Sequence, residues 1–424
     1  MSNVKMKGFR ELVNIDEASK IFFEKLPARE LEKETVKLEN ALNRVLAVDI
    51  SAEVDVPQYD RSAVDGYAVV AEDTFGCSQT NPAVLKVVGK ISIGEYKEVA
   101  VGRGKTVFVA TGAHMPKGAD AVVMVEYTKK ISNEEIEIQS PVTPQKNVSK
   151  AGEDVKRGEK VLGAGMLLKP QDLGILGSLG LTKVSVYRKP IVGVLSTGSE
   201  LIELGGQTKI RATVDVNRLI ISGMVRKLGG MPVDLGIARD RLDEVRSRIA
   251  GGLAVADAVI VSGGTSVGEA DLVPDAINSL GKPGMVVHGV SMRPAMPTGL
   301  AVVNGKPIFS LSGYPVAAMV GFNVFVKPYI SRLLKGAVEP QPKVRARITR
   351  RVASEVGVRS FVRVIVRKVE KGYIAEPIRT SGAGVLSTMV KANGVLAIPE
   401  GKEGVEAGEE VEVTLLRSVE DEED

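Results

Sequence analysis

The sequence predicts a multidomain α/β plus β protein, and three stretches predict it. From about Lys189 to Lys335, continuous apolar strands alternate with amphipathic helices. That is the pattern of a parallel sheet covered on both faces, hence of a three-layer α/β domain. From about Ala52 to Gly158, short β-type runs such as AVLKVV, KTVFVA, AVVMVE and EIEIQ are separated by Gly, Pro and Asn, which marks a small β-rich insertion. Beyond the Pro-rich EPQPK linker, VRARITR, SFVRVIVRKVEKGYIAEPI and GVLAIP alternate and turn at EKG, giving a compact antiparallel β-module. A chain of 424 residues has room for two to four domains at roughly 100 to 200 residues each.

In chain order, NIDEASKIFFEKL spaces Ile15, Ala18, Ile21, Phe22 and Leu26 behind an Asn or Asp cap, so it reads as an amphipathic helix in need of a partner surface far away in sequence. The texture changes after ALNRVLAVDI, where the β-rich part begins. In the α/β part, PIVGVLSTG, PVDLGI, ADAVIVSGG, MVVHGV and KPIFSLSG read as strands. VNRLIISGMVRKLGG, LDEVRSRIAGGLA, DLVPDAINSL and PVAAMVGFNVFVKPYISRLL read as helices. The terminal EDEED reads as a solvated acidic tail.

Composition removes several classes of function. Fifty-six basic residues face 52 acidic ones, and aromatics are 4% with no Trp, so neither a basic surface nor stacking platforms argue for nucleic acid. One cysteine, Cys77, and two histidines, His114 and His288, cannot build a disulfide framework or a Cys/His zinc site. Any metal is expected to be hard and oxygen-bound. The N-terminus carries no apolar signal run and no segment reaches bilayer-spanning length, so a cytoplasmic protein with no membrane association is expected. Scarce Cys and evenly spread charge point to a heat-adapted source.

The chemistry concentrates at predicted strand ends. In DAVIVSGGTSVGEAD, Asp257 to Asp271, an apolar β-branched run stops at Gly263 and Gly264, passes Thr265 and Ser266, and ends in Glu269 and Asp271. Ligands of open parallel sheets sit outside the carboxyl ends of the strands. Glycines there let backbone N–H groups approach an anion, and Asp271 can cap the next helix; equally, the two glycines can merely turn the chain. Other strand ends repeat the chemistry: Ser196, Thr197, Gly198 and Glu200 in VLSTGSEL, Asp240 in GIARD, and Ser310, Ser312 and Gly313 in SLSGYP. Hydroxyls and backbone donors suit phosphate, and carboxylates beside phosphate imply a cation of the Mg2+ type. No Walker A loop, no dinucleotide turn in context and no nucleophile elbow is present, and neither histidine lies in a triad context.

Seven strings in order, DRSAVDGYA, VATGAHMPKGADAVVMVE, AGEDVKRGE, STGSEL, DVNR, SGGTSVGEAD and RPAMPTG, resemble the molybdopterin molybdenumtransferase family, called MoeA in bacteria and the E-domain of gephyrin in animals. The match runs from about residue 10 to the C-terminus. It implies a homodimer whose subunit has an elongated dimerisation domain (33–51 and 159–180), a β-rich insertion (52–158), an α/β molybdopterin-binding domain (10–32 and 181–338) and a C-terminal β-barrel (339–424). The implied reaction takes adenylylated molybdopterin and molybdate, with Mg2+, to molybdenum cofactor and AMP, in a cleft between two subunits. The molybdopterin adenylyltransferase is an implied protein partner.

Carried over by motif, the implied catalytic residues are Asp65, Thr111, Asp154, Glu200, Asp240 and Asp271. Glu200, Asp240 and Asp271 would hold the cation, and Asp65 and Asp154 would position water or limit access. The implied substrate-binding set is Ser196, Thr197, Gly198, Ser262, Gly263, Gly264, Ser266, Arg293, Pro294, Ser312 and Gly313, with Arg293, Ser312 and N–H groups near Gly313 as donors to the metal oxyanion. Structural roles compete. Asp65 can order a turn before Gly66, Thr111 can be a turn residue, Asp154 can sit in an exposed turn, Asp240 can cap the helix at LDEV, and His288 reads as a core residue. Two loops depart from the family pattern. Lys-Pro-Gly-x-Pro becomes Arg293-Pro294-Ala295-Met296-Pro297, and Pro-Gly-Asn-Pro becomes Ser312-Gly313-Tyr314-Pro315. Both departures leave tungstate open beside molybdate. A pterin-holding protein without turnover and a phosphohydrolase on the same acidic rim are the alternative readings.

Overall fold

Apolar runs buried on both faces become the strands of a six-stranded sheet. In this computed structural model, which describes residues 12–206, 212–264, 272–379 and 382–421, they are β1 (Ile191–Thr197), β2 (Met231–Ala238), β3 (Ala258–Ser262), β4 (Pro283–His288), β5 (Gly299–Val303) and β6 (Lys306–Leu311). The order across the sheet is β2-β1-β3-β6-β5-β4. Neighbours from β2 to β6 are parallel, while β5 is antiparallel to both β6 and β4. The sheet is therefore parallel over four strands and antiparallel at one edge. The cause is Asn304-Gly305, both at positive φ, 51° and 77°, which join β5 to β6 in a two-residue hairpin that leaves no room for a crossover helix.

Helices cover both faces. They are α1 (Ile15–Lys25), α2 (Asn217–Lys227), α3 (Leu242–Val255), α4 (Leu272–Asn278) and α5 (Pro315–Gly321). On one face Val245 and Ile249 of α3 and Val273 and Ile277 of α4 share a core with Leu195, Val259, Val261 and Ile308. Side chains alternate along a strand, so Phe309 turns to the other face, where Phe22 of α1 meets it edge-on at 5.3 Å and Tyr329 lies at 5.8 Å. Asn14 caps α1 by accepting the Glu17 N–H at 2.8 Å. The N-terminal helix thus finds its partner surface almost 300 residues downstream.

The same unit, Met1–Glu34 with Asn43–Val45 and Tyr187–Asp424, contains the C-terminal β-module. Lys343–Ile348, Arg359–Val369, Gly372–Arg379, Gly394–Ile398 and Glu410–Leu415 pair in a ring, closed where Arg359–Val369 meets Gly394–Ile398. Val364, Ala375, Ile398 and Val413 fill it. The module is not wholly antiparallel, since Arg347 and Ile348 run parallel to Ile374 and Ala375; closing the barrel requires that pair. The tail also departs from expectation. Glu420–Asp421 pairs with Arg367 and Lys368, taking up backbone groups that the long strand presents beyond its partner's end.

The second unit, Thr35–Leu42 with Leu46–Val186, is built around another six-stranded sheet. Its order is Ala121–Met124, Gly66–Val69, Lys105–Val109, Ala83–Ile91, Glu135–Ile138, Thr128–Lys130. Alternate residues feed separate cores on its two faces: Val69 and Val123 on one, Ala68 and Val122 on the other. Leu46, Leu162, Leu168, Leu176 and Val186 form a further cluster in this unit. Cys77 is buried and unpaired, and burial pushes its thiol pKa up, which keeps it inert.

Candidate functional site

Register brings the predicted strand ends together. Ser196 lies beside Ile237 on one side and Ser262 on the other, and Ser262 lies beside Leu311. The loops carrying Gly198 and Glu200, Asp240, Gly263 and Gly264, and Ser312 and Gly313 therefore leave one rim. His288, Gly299 and Ser310 form the next row, so the loop with Arg293 and Pro294 leaves that rim too. Ser266 and Asp271 lie outside the described residues.

The rim is cross-braced by polar side chains. Ser196 Oγ donates to Asp215 Oδ1 at 2.9 Å, and the Arg218 N–H donates to the same oxygen at 3.2 Å. Asn217 Nδ2 donates to Ser262 Oγ and to the Gly313 carbonyl, each at 2.8 Å. Ser262 Oγ donates to the Ser312 carbonyl at 3.3 Å, and Ser312 Oγ accepts the Tyr314 N–H at 3.2 Å. Ser196 and Ser262 thus place their hydroxyl protons inside the protein. Asp215, Asn217 and Arg218, which sequence reasoning gave no role, hold three loops together; the polar DVNR string at a helix start was their signal. Arg218 also pairs with Glu203 and, at 3.0 Å, with Asp234.

Two glycines are dictated by crowding. Gly263 has φ 98°, and a Cβ there would collide with the Thr197 carbonyl. Gly264 has φ 64°, and its Cβ would come within 2.6 Å of Val273 and 2.9 Å of Thr197 Oγ1. They turn the chain, as the structural alternative held, and also press the turn onto the end of β1. Thr197 Oγ1, Ser310 Oγ and Asn217 Oδ1 are buried with no hydrogen-bond partner among the described residues. Such orphans cost about 1–3 kcal/mol each, which a ligand or water supplying the missing partner recovers.

Asp240 does not cap the following helix, whose N-terminal residue Arg241 makes no side-chain cap. It accepts the Ser199 N–H at 2.8 Å while its own N–H donates to Ser199 Oγ at 3.1 Å, clamping two rim loops. The Glu200 carboxylate folds back over Gly198, and no hydrogen bond or ion pair to it is found among the described residues. Among those residues no group of three or more His, Cys, Asp or Glu is placed to hold a metal. Glu200 and Asp240 are nevertheless oxygen donors on one rim, the ligand type that hard cations take.

Arg293 points its guanidinium at Glu355, 3.1 Å away, and both side chains are about half exposed. Ala295 is buried at φ 90°, a left-handed conformation that costs a residue with Cβ about 1–2 kcal/mol. Ala295→Gly is therefore expected to raise stability by about 1 kcal/mol, read as a higher urea midpoint. A lower midpoint would show that the methyl's burial outweighs the backbone term.

In the β-rich unit, Asp65 Oδ1 accepts both the N–H and the hydroxyl of Thr111, at 2.7 and 3.0 Å. The two bonds hold the Asp65 carboxyl below its ordinary pKa, so it is ionised at neutral pH. Asp65 must be followed by glycine, since a Cβ at Gly66 would strike the Val123 carbonyl. Asp154 is exposed, with its N–H donating to the Val56 carbonyl at 3.1 Å; its carboxylate has no partner among the described residues. Asp60, not singled out from sequence, orders that loop by accepting from Lys150 Nζ at 2.7 Å and the Ala151 N–H at 2.9 Å.

Comparison with known proteins supplies three family models in chain order. Residues 13–180 match the MoeA N-terminal region, domains I and II; residues 193–332 a probable molybdopterin binding domain; and residues 345–416 the MoeA C-terminal region, domain IV. A protein of Methanocaldococcus jannaschii named for molybdopterin biosynthesis is 39% identical over 423 residues, covering 97% of this chain and all of that one. The molybdopterin molybdenumtransferase of Bacillus subtilis is 33% identical over 389 residues, covering 91% of this chain and 90% of that one. The crystal structure of a molybdopterin biosynthesis MoeA protein from Pyrococcus horikoshii superposes with a TM-score of 0.82 at 36% identity, covering 96% of this chain and 100% of that one.

Proposed function

The chain belongs to the MoeA family, and from that premise we propose that it is a molybdopterin molybdenumtransferase that inserts molybdate into adenylylated molybdopterin, with hydrolysis of the adenylate and release of AMP. The observation that carries this reading is the rim itself. Two glycines squeezed against Thr197, buried oxygens on Thr197, Asn217 and Ser310, and the Glu200 carboxylate meet at one edge of the sheet, and none of these oxygens has a partner among the described residues. Such an edge suits a polar ligand whose phosphate arrives with a cation better than an apolar one.

Each residue's part follows from its chemistry. The hydroxyls of Thr197 and Ser312, whose protons the described bonds do not use, and the backbone at Gly263, Gly264 and Gly313 take the phosphate and pterin end, with Ser196 and Ser262 holding the loops in place. Arg293 is the donor for the incoming oxyanion; its exposed pairing with Glu355 is worth no more than about 1 kcal/mol and exchanges readily for a doubly charged anion. Glu200 and Asp240, with Asp271, would hold Mg2+, which when bound neutralises charge on the phosphate oxygens. Asp65, kept ionised by Thr111, and Asp154 orient the attacking water. The protein is read as a homodimer, with the adenylyltransferase as candidate partner and tungstate as an alternative oxyanion. The four-part division given by the resemblance is retained in this proposal. Separate apolar cores support it, but Val184 and Val186, which the division gives to the α/β part, pack instead on the Leu168–Leu176 core.

The test is incubation with adenylylated molybdopterin and either molybdate or tungstate, with and without Mg2+, following AMP. AMP release that needs an oxyanion and stops on chelation is expected. Intact adenylylated molybdopterin retained on the protein would make it a holder instead, and release unaffected by chelation would remove the cation.

A further inference from the structure

Tyr314 is 63% exposed, and it is the only Phe, Tyr or Trp in the described rim loops, whose polar side chains are otherwise hydroxyls, carboxylates and the guanidinium groups of Arg239, Arg241 and Arg293. Its position is fixed from several directions. Its N–H is taken by Ser312 Oγ at 3.2 Å, and its carbonyl accepts the first helical bond of α5 from Ala318 at 2.9 Å. Pro315 follows and restricts its backbone to the extended region, where it lies at φ −79° and ψ 126°. Two residues on, the Val316 N–H donates to the Ala383 carbonyl of the C-terminal module at 3.1 Å. The ring edge rests over Gly384, so near that a Cβ there would lie 3.1 Å from Cδ1. The barrel loop therefore backs the ring, and the rest of the ring is open among the described residues.

An exposed aromatic ring on a fixed backbone loses little freedom when something stacks on it. Resting on the proposed transferase reading, whose substrate carries adenine and pterin rings, we infer that Tyr314 is a specificity-determining residue: its open surface stacks a planar heteroaromatic ring of the substrate, and Gly384 is glycine so that the Tyr314 ring can lie back against the barrel loop. The phenol hydroxyl has no part in this, so Phe should serve as well.

The experiment measures binding of AMP by calorimetry and of neopterin by fluorescence, for the parent protein and for Tyr314→Phe, Tyr314→Ala and Gly384→Ala, with circular dichroism as the control for folding. Tyr314→Ala is expected to weaken one probe by roughly 5- to 100-fold, and the probe that weakens identifies the ring. Tyr314→Phe should stay within about twofold, and Gly384→Ala should weaken the same probe by pushing the ring forward. If Tyr314→Ala binds both probes as the parent does, or the parent binds neither, the stacking role is wrong. AMP release from adenylylated molybdopterin by the same parent preparation keeps the transferase reading standing in either event.

Discussion

Replacing Glu200 by alanine is expected to slow AMP release by roughly 10²- to 10³-fold, the usual loss when one electrostatic contributor to a transition state is removed, with the fold unchanged. The expectation rests on position. Glu200 lies on the rim beside the Asp240–Ser199 clamp, and its carboxylate has no partner among the described residues, so its removal leaves no buried group stranded. A rate equal to the parent's would take Glu200 out of the site. Asp65 needs a sharper substitution, because Asp65→Ala also frees Thr111. In Asp65→Asn the amide oxygen can still accept both Thr111 donors while the charge is lost. A large loss of rate in Asp65→Asn supports the catalytic role, and parent-like activity supports a role in ordering the turn before Gly66. Since the Asp65 carboxyl titrates below its ordinary pKa, activity that depends on its charge should persist as pH falls, until below the usual carboxylate value near ~4.

Asp257→Ala is expected to destabilise the α/β unit by about 1–3 kcal/mol, because it removes the charge-assisted bonds that the half-buried Arg188 and the exposed Arg29 make to a buried carboxylate and leaves the Ile191 N–H without its acceptor. Asp257 is 2% exposed and accepts from Arg188 Nη1 and Nη2 at 2.7 and 2.8 Å and from the Ile191 N–H at 2.8 Å. Arg29 adds a contact at 2.7 Å. The carboxylate ties the foot of β1 to that of β3, opposite the functional rim. Burial pushes its pKa up, but the bonds from Arg188 and Ile191 and the charges of Arg188 and Arg29 outweigh burial, so it lies below the ordinary value. A depressed carboxyl stabilises the fold fully above its unfolded pKa, near ~4, and that contribution is lost as pH falls through the lower folded value. Urea unfolding at neutral pH should show the deficit in Asp257→Ala, and the difference from the parent should shrink in acid. A neutral-pH midpoint close to the parent's would mean that the two arginines find other partners.

Much of this was readable before any coordinates. The Asn14 cap and the spacing of Ile15, Ala18 and Phe22 marked α1, since a cap and one apolar stripe are local properties of a helix. The Asn304-Gly305 hairpin was equally local, yet GLAVV went unread between two assigned strands, and with it the antiparallel edge of the sheet. EVEVTL, the strand that completes the barrel, alternates plainly in the sequence and was passed over as well. For Asp240 the sequence offers a helix cap as the structural alternative, because LDEV follows it at the right spacing, whereas its carboxylate reaches Ser199, 41 residues earlier.

By itself the sequence determined the strand and helix classes, the oxygen-only chemistry of the strand ends and, through seven ordered strings, the family. These depend on short-range pattern and on residue type, both of which a one-dimensional chain carries in full. Only the tertiary structure decided that Ser196, Ser262 and Leu311 share one row with Ser312 just beyond it, that Asn217 ties Ser262 to Gly313, that Thr111 grips Asp65, and that Tyr314 rests on Gly384. Each of those depends on strand register or on a loop crossing from another module. A one-residue slip in register would turn every such side chain to the opposite face.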